Sequence, residues 1–463
     1  MEPIGDLRIV FERRVNNVKS LSEELTRYGY VFSMKRSIML YTFAFVLMLA
    51  LGRFYSLGFI AQAIVFTAVF LMLPFFIKNI FANRYNQKRF SDLNIYMEQF
   101  LYSFQRSGKV LATIEDLISI FEDGTMKATL KKARHHILHT FNEANVEGNA
   151  LAIIEKEYPY DGLRRIHRFA VASEEVGGDY RESIRLLLEA RRMFADRAYA
   201  LQQKQKAKRR EVFLSIITSL ILCSMIFMLS SNIGVDISDI PLAQAVTASV
   251  LIMDLIIFYL ADKKLTVGFV ESDHQRDDEM VKTYHRMKNY KDGIFFQRLG
   301  KQIAKRRLTR EIEKQYPGWL MEISLLLQTE NVPVAIQKSY KLAPKVLQPA
   351  LGDLILGIRE NPASMEPYRS FLSEFAIPEV ASSMKMLYSI SSGAGGDARM
   401  QLADMIRRNQ QMFDKAKKME NEDSLSGMQA MFLAPQLTGG FKMAVDMALL
   451  LIVYMGQQTI TAG

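Results

Sequence analysis

The chain of 463 residues has few residues able to form covalent or metal cross-links, with one cysteine and six histidines. The single thiol, Cys223, excludes a disulfide framework and a thiolate metal cage within the chain. Because it lies in an apolar run, we expect it to be a small buried hydrophobe. A G-x-x-x-x-G-K-[ST] phosphate loop is also absent, since the nearest match, Gly108-Lys109-Val110, lacks the hydroxyl that would hold magnesium. We therefore expect no catalytic activity, no cofactor and no metal.

Acidic residues are outnumbered by basic ones, 49 against 59, which gives a formal net charge of +10. A clustered basic surface can bind nucleic acid, but the sequence contains no zinc finger or other recognisable nucleic-acid module. Membrane topology explains the charge better, because Lys and Arg are retained on the cytoplasmic side of inserted segments and meet anionic lipid there. The expected partner is the lipid bilayer and not nucleic acid.

Long apolar runs are plentiful, and a transmembrane helix needs about 20 such residues. Five runs are candidates: 38–51, 57–77, 212–229, 241–261 and 431–455. The first is short, although Lys35, Arg36 and Arg53 at its ends can extend their charges toward the interfaces. The sequence predicts an all-α membrane protein with about five transmembrane helices.

Orientation follows from Lys and Arg in the short flanking segments, which resist translocation. Seven such residues precede Ile38, and Lys204 to Arg210 precede the third run. The loop 230–240 and the tail 456–463 contain none. These counts predict a multi-pass protein of the cytoplasmic (inner) membrane with its N-terminus in the cytoplasm and its C-terminus outside.

This topology gives the predicted domain plan. It comprises a cytoplasmic basic amphipathic segment (1–37), a transmembrane hairpin (38–80), a first cytoplasmic helical module (81–211), a transmembrane pair (212–262), a second helical module (263–428), and a C-terminal transmembrane helix with a short outside tail (429–463). Apolar residues at three- and four-residue spacing predict helical bundles in both modules. Turns are predicted at Gly108, Gly124, Gly148, Pro317, Pro333 and Pro362.

The two predicted modules share short sequences in the same order, which indicates an internal duplication. Gly177-Gly178-Asp179 matches Gly395-Gly396-Asp397, and Met97-Glu98 matches Met321-Glu322. Gly108 matches Asn331, and both residue types tolerate the left-handed backbone that often follows a helix. We interpret each repeat as a helical module, a Gly-Gly-Asp turn, a long charged helix and a membrane segment.

The stretches from Phe100 to Gly108 and from Ser173 to Gly177 resemble the F-domain family of inner-membrane proteins of type II secretion, type IV pilus and Tad pilus systems. That family's module has a helix ending before a Gly, and a Gly-Glu-x-x-Gly turn leading into a long helix. Here Ser173 replaces the first Gly. The second copy, Ser391-Ser392-Gly393-Ala394-Gly395, has lost the Glu, so the family's glutamate role carries over only to Glu174.

The resemblance implies a non-catalytic assembly platform. Its cytoplasmic modules would contact a cytoplasmic assembly ATPase supplied in trans. Its membrane helices would contact pilin-like or pseudopilin subunits, and the chain would act as a homo-oligomer. Two rival hypotheses remain open at this point: a membrane transporter, because duplicated halves and charges within the membrane are also transporter features, and a membrane-anchored scaffold or regulator.

Ionisable residues inside the apolar runs are the strongest candidates for specific contacts, because a charge in hydrocarbon costs about 3 kcal/mol on insertion scales and needs a partner. They are Asp254, Lys442 and Asp446. Lys442 and Asp446, four apart on one helix, can neutralise each other; alternatively Lys442 or Asp254 meets a polar group on a pilin-like helix. His135, His136 and His139 have helical spacing suited to a metal, but no further ligand lies nearby, so we expect a solvated basic face.

Overall fold

The computed structural model describes residues 34–140, 145–177, 180–235, 237–266, 274–289, 295–327, 330–393, 415, 418 and 427–461. These residues form helices and turns, with no strand among them, so the all-α prediction is confirmed. The basic amphipathic segment predicted at the N-terminus lies almost wholly outside the described residues.

Fifteen α-helices are described, and we number them in chain order. They are α1 (Met34–Phe54), α2 (Phe59–Ser107), α3 (Val110–Ile120), α4 (Thr125–His139), α5 (Val146–Glu157), α6 (Asp161–Val176), α7 (Arg181–Ile233), α8 (Pro241–Leu265), α9 (His274–Asn289), α10 (Phe295–Leu326), α11 (Val332–Ser339), α12 (Gln348–Glu360), α13 (Glu366–Ser370), α14 (Pro378–Ser391) and α15 (Met428–Thr461). Short 3-10 turns at Tyr340–Leu342 and Ser373–Phe375 follow α11 and α13.

The chain divides into two compact units. Unit 1 contains residues 1–92, 196–269 and 425–463, and unit 2 contains residues 93–195 and 270–424. Two of the dividing points fall inside continuous helices, α2 and α7. The predicted domain boundaries after residues 80 and 211 also fall inside these two helices.

Helices α2 and α7 are far longer than a membrane span, with 49 and 53 residues. At 1.5 Å per residue they extend about 75–80 Å, whereas the hydrocarbon core is about 30 Å thick. The sequence of α7 contains no glycine or proline, so nothing in it breaks the backbone between its charged and apolar parts. Helix α2 contains Pro74 in its apolar part but remains helical through it. Both helices join a charged segment to an apolar segment without a turn.

Four helices in the described part of the chain are long and apolar enough to cross a membrane: Phe59–Ser107, Arg181–Ser230, Pro241–Leu265 and Met428–Gly456. They contain four of the five predicted apolar runs. The first run lies in α1, whose apolar part, Ile38–Phe54, is shorter. Large apolar side chains on these helices are exposed, among them Phe59 and Ile60 of α2. Such a surface is typical of contact with lipid.

Unit 1 packs α8 against α15 and both against the apolar end of α7. Val212, Ala261, Leu265 and Met428 form one buried cluster, and Ile226, Val235, Ile237 and Leu450 form another. Gly439 allows α15 to approach α7 closely, because a Cβ there would lie 2.9 Å from the carbonyl oxygen and hydroxyl of Ser219. Small residues commonly permit such close contact between membrane helices.

Unit 2 contains two sets of short helices in a similar order. In the first set, α3 contacts α4, α4 contacts α5, α5 contacts α6, and α3 also contacts α6. In the second set, α11, α12, α13 and α14 make the corresponding contacts. Aromatic residues of α2 and α10 fill the two cores: Tyr96, Phe100 and Phe104 in the first, and Tyr316 and Trp319 in the second.

Three of the turn predictions are wrong. Pro317 lies inside α10, and Gly148 and Pro333 lie in the first turns of α5 and α11. A proline inside a helix removes one backbone hydrogen bond and destabilises the helix locally. The neighbouring side chains Tyr316, Trp319 and Leu320 are buried, and this packing outweighs the destabilisation. Gly148 follows the N-cap Asn145, whose side chain accepts a hydrogen bond from the Gly148 N–H at 2.8 Å.

The two helix sets of unit 2 contact each other through α6 and α10. The guanidinium of Arg168 donates to both carboxylate oxygens of Glu322, at 2.9 and 3.3 Å. Gly318 lies beside Arg165, whose Nη1 would be 3.2 Å from a Cβ at that position. Glu322 is largely buried, so this bidentate pair fixes the register between the sets.

A buried histidine stabilises the first helix set. The ring of His167, on α6, is 2% exposed. Its Nε2 lies 2.9 Å from the Tyr96 hydroxyl, and its Nδ1 lies 2.9 Å from a carboxylate oxygen of Glu155. Glu155 therefore accepts from Nδ1–H, and the Tyr96 O–H donates to Nε2. Burial lowers the pKa of His167, although Glu155 opposes that shift.

We expect stability to fall in acid because of His167. Its folded-state pKa is below its unfolded value near 6.5, so its contribution is complete above that pH and is lost as the pH falls toward the folded pKa. Hydrogen exchange of amides in α5 and α6 should accelerate as the pH falls below 6.5, after correction for intrinsic rates. A His167→Gln variant should be less stable by about 1–3 kcal/mol at neutral pH and should show a flatter pH profile. Equal pH profiles in the two proteins would contradict this account.

Candidate functional site

The predicted intramembrane residues lie in unit 1, on α8 and α15. Lys442 and Asp446 occupy successive turns of α15 and form an ion pair, with Lys442 4% exposed and Asp446 1% exposed. Spacing of four residues places both side chains on one face of the helix. A single helix therefore neutralises this pair, although Oδ1 of Asp446 has no hydrogen-bond partner among the described residues.

Asp254 lies on α8 and is 3% exposed. Its Oδ1 accepts a hydrogen bond from the Thr438 hydroxyl of α15 at 3.1 Å. The Ser219 hydroxyl of α7 approaches the same carboxyl group. However, neither Oδ2 of Asp254 nor the Ser219 Oγ makes a hydrogen bond of good geometry to a described residue. Asp254 thus brings polar groups of three membrane helices together.

Two further polar residues lie near these groups. Cys223 on α7 is buried, as predicted for a small hydrophobe, and it lies near Asp254, Lys442 and Asp446. Tyr55, in the connection between α1 and α2, donates to the carbonyl oxygen of Leu220 at 2.8 Å. We call Tyr55, Ser219, Cys223, Asp254, Thr438, Lys442 and Asp446 the membrane polar cluster. Such clusters inside a membrane are usually functional.

A groove lies beside the membrane polar cluster, between α8 and α15. Its volume is about 490 Å³, and it is lined by Ala245, Val246, Ser249, Val250, Met253, Leu437, Thr438 and Phe441. Thr438 belongs to both the groove and the cluster, since its hydroxyl donates to Asp254. Apart from this hydroxyl and that of Ser249, the lining is apolar, so the groove suits a hydrocarbon surface.

The residues that carry the family resemblance in the first module lie close together in unit 2. Gly108, after α2, and Gly177, after α6, have φ values of +64° and +69°, a backbone region that favours glycine. A Cβ at Gly108 would lie 2.8 Å from the Tyr180 hydroxyl, just before α7. The ends of α2 and α6 and the start of α7 therefore meet at one place, which we call the glycine junction.

Glu174 holds the glycine junction to α3. One carboxylate oxygen accepts a hydrogen bond from the Val110 N–H at 2.8 Å, and the other lies 3.4 Å from the Lys109 ammonium. Helix α3 has no cap from its own N-cap residue, Lys109. A carboxylate supplied by α6 therefore caps the helix and complements its positive end. Gly178 and Asp179, the other predicted residues here, lie outside the described residues.

In the second helix set, the N-terminus of α11 is capped by its own N-cap residue. Asn331 has φ −78° and ψ 165°, so the expectation that it adopts the left-handed conformation of Gly108 is wrong. Its side chain instead accepts from the Val334 N–H at 3.1 Å and caps α11, which removes the need for a distant glutamate. Gly393, with φ +69°, follows the end of α14. Gly395, Gly396 and Asp397 lie outside the described residues.

The histidines of α4 make polar contacts mainly within their own helix, and the Thr140 hydroxyl lies 3.5 Å from Nδ1 of His136. His135 and His139 are exposed, and their rings stack with centroids 4.0 Å apart. Nδ1 of His139 lies 3.0 Å from the carbonyl oxygen of His135. Within the described ranges, no group of three or more His, Cys, Asp or Glu could hold a metal ion.

Sequence reasoning found the charged members of the membrane polar cluster and missed its hydroxyl groups. Ser219, Thr438 and Tyr55 are ordinary polar residues at separate places in the sequence, and only packing brings them to Asp254. The buried His167 was also missed. The sequence around His167 indicates its burial, because the apolar residues Leu163, Ile166 and Ala170 lie at helical spacing on the same buried face of α6.

The described helices define an all-α protein with four helices able to cross a membrane and a set of polar residues within them. Neither protein-family models, nor curated proteins, nor solved structures give a match to this chain.

For the ion pair on α15, removing one charge should destabilise the protein more than removing both charges. Replacing Lys442 by Met leaves Asp446 buried without its partner, and breaking a buried pair costs about 3–5 kcal/mol. The double variant Lys442→Met with Asp446→Leu removes both charges and should recover most of the loss. Thermal stability in detergent and protein level in the membrane would measure this. As a control, Lys208→Met breaks the partly exposed Lys208–Glu211 pair and should cost about 0–1 kcal/mol. Equal losses for Lys442→Met and the double variant would refute the account.

The cap at α3 gives a second prediction. Glu174→Ala removes the acceptor of the Val110 N–H and should destabilise unit 2 by about 0.5–2 kcal/mol, with faster hydrogen exchange in the first turn of α3. Its exposed neighbour provides the control, because Glu175→Ala should change stability by no more than about 0.5 kcal/mol. If both variants exchange alike at Val110, Glu174 does not cap α3.

Proposed function

We propose that this protein is the inner-membrane assembly platform of a type II secretion-like or Tad or type IV pilus-like system. In this function it couples a cytoplasmic assembly ATPase to pilin-like subunits and catalyses no reaction itself. The observation that carries the proposal is that the glycine junction leads directly into α7, a continuous helix of 53 residues that ends in a membrane-spanning segment.

A continuous helix suits mechanical coupling, because a displacement at one end is not absorbed by a turn. Helix α7 begins directly after Tyr180, beside the glycine junction where Glu174 ties α6 to α3. An ATPase that moved the first helix set would therefore act close to the start of α7. Coupling of this kind still requires the ATPase to contact the platform differently in at least two of its states.

Duplication of the helical module is part of the proposal. Its support is the corresponding order of α3–α6 and α11–α14 and the matching Met-Glu pairs. A positive-φ glycine follows both α6 and α14, although Gly393 lies two residues before Gly395, the sequence match of Gly177. The repeated glutamates differ in role. Glu98 of α2 pairs with Arg191 of α7 at 2.6 Å, whereas Glu322 of α10 pairs with Arg168 of the first helix set. A degenerate second copy whose glutamate now joins the two sets is consistent with this difference.

Orientation follows from the charge distribution. With α1 as a fifth span, the N-terminus and both helix sets lie in the cytoplasm, and the C-terminus lies outside. Helix α1 has 21 residues, about 31 Å, which is sufficient for the hydrocarbon core if Arg53 extends toward the headgroups. The platform then presents its helix sets on the side of the membrane where ATP is available.

Co-purification tests this function. We expect the full-length chain, extracted in mild detergent, to retain an assembly ATPase encoded nearby and to be required for surface assembly of short pilin-like subunits. Gly177→Ala should reduce assembly by about 5–30-fold at equal protein level, because a left-handed backbone costs an L-residue about 1–2 kcal/mol at the glycine junction. Gly440→Ala, in helical α15 with open space around its Cα, should assemble normally.

Two results would overturn the proposal. One is normal assembly in a deletion strain, which would leave no platform role. The other is solute transport by the reconstituted chain with no associated ATPase or pilin-like subunit, which would instead support the transporter hypothesis.

A further inference from the structure

The membrane polar cluster has one more negative charge than positive charge if all of its members are ionised. It contains one ammonium group, Lys442, and two carboxylates, Asp254 and Asp446. Lys442 forms its ion pair with Asp446 on the same helix. Among the described residues this leaves Asp254 as the member without an ion-pair partner, in a helix that is apolar enough to cross a membrane.

The neighbours of Asp254 supply little to stabilise an anion. From α15 it receives one hydrogen bond of 3.1 Å, from the neutral Thr438 hydroxyl, which also lies 2.8 Å from the Pro435 carbonyl oxygen. A hydroxyl has one proton to donate, so these two acceptors compete for it. From α7 the carboxyl faces Ser219 and Cys223, and from the connection before α2 it faces Tyr55.

The unmatched atoms around Asp254 are oxygen atoms. Oδ2 of Asp254 has no hydrogen-bond partner among the described residues, and the same holds for the Oγ of Ser219, which is fully buried. The Ser219 hydroxyl can donate or accept, so its donation alone would leave the charge of the carboxylate in place. A proton on Asp254 would neutralise the carboxylate and would let Asp254 donate to Ser219. A metal ion fits less well, because the described residues offer no group of three suitable ligands and the Lys442 ammonium is nearby.

We propose that Asp254 is a proton-binding site, occupied at neutral pH, so that the membrane polar cluster as a whole is uncharged. In this state the Asp254 carboxylic acid can donate to the Ser219 side chain while accepting from Thr438, and it joins α7, α8 and α15 through neutral hydrogen bonds. Loss of the proton would place an uncompensated charge among the three helices and weaken their contact. This inference does not depend on the proposed function.

Infrared spectroscopy tests the proposal directly. The full-length protein would be reconstituted in lipid nanodiscs at pH 7 with its aspartates labelled at the carboxyl carbon, which separates them from glutamates. We expect a C=O stretching band of a protonated aspartic acid in the wild type, and complete loss of that band in Asp254→Asn. Asp262→Asn is the matched control on the same helix, because Asp262, unlike Asp254, has an ion-pair partner, the Arg209 guanidinium at 2.7 Å. This control should keep the band.

Two outcomes would overturn the proposal. If the wild type shows no protonated aspartic acid at pH 7, Asp254 is ionised, and a donor or cation from another molecule must compensate it; this result needs no variant to fold. If the band persists in a folded Asp254→Asn variant, the proton belongs to a different aspartate.

Discussion

The low polarity of the membrane interior is the constraint on which unit 1 depends. Backbone groups there must be satisfied within the helices, and each ionisable side chain needs a partner or a proton. Lys442 and Asp446 meet this requirement within one helix, whereas Asp254 needs groups from its neighbours. The approach of α7 to α15 at Gly439 is what brings the Ser219 side chain close enough to be one of those groups.

In unit 2, hydrogen bonds and ion pairs of charged side chains hold neighbouring helices together. Glu174 caps α3 from a distance, Arg191 binds Glu98, and Arg168 binds Glu322 between the two helix sets. Short helices have weak intrinsic stability, so these directional contacts complement the aromatic cores around Phe100 and Trp319. Together they give each set a defined arrangement.

The proposed platform function joins these two features through long helices. If α7 transmits movement from the glycine junction toward the membrane, the membrane polar cluster is where that movement would alter polar contacts. Ser219 lies on α7 itself, and it faces Asp254 of α8 and the backbone of Gly439. A proton on Asp254 would keep these contacts neutral while helices shift relative to one another.

Composition and periodicity were enough to predict an all-α membrane protein, four of its membrane helices, and its buried charged residues, because hydrocarbon imposes length and polarity rules that a sequence displays directly. Glu174 was identified from a motif, but its partner Val110 lies 64 residues away and only folding brings them together. Packing likewise decided that α10 continues through Pro317 and that Asn331 caps a helix instead of turning the chain. The hydroxyls around Asp254 carry no signal of their own in the sequence, since their role arises only from proximity in three dimensions.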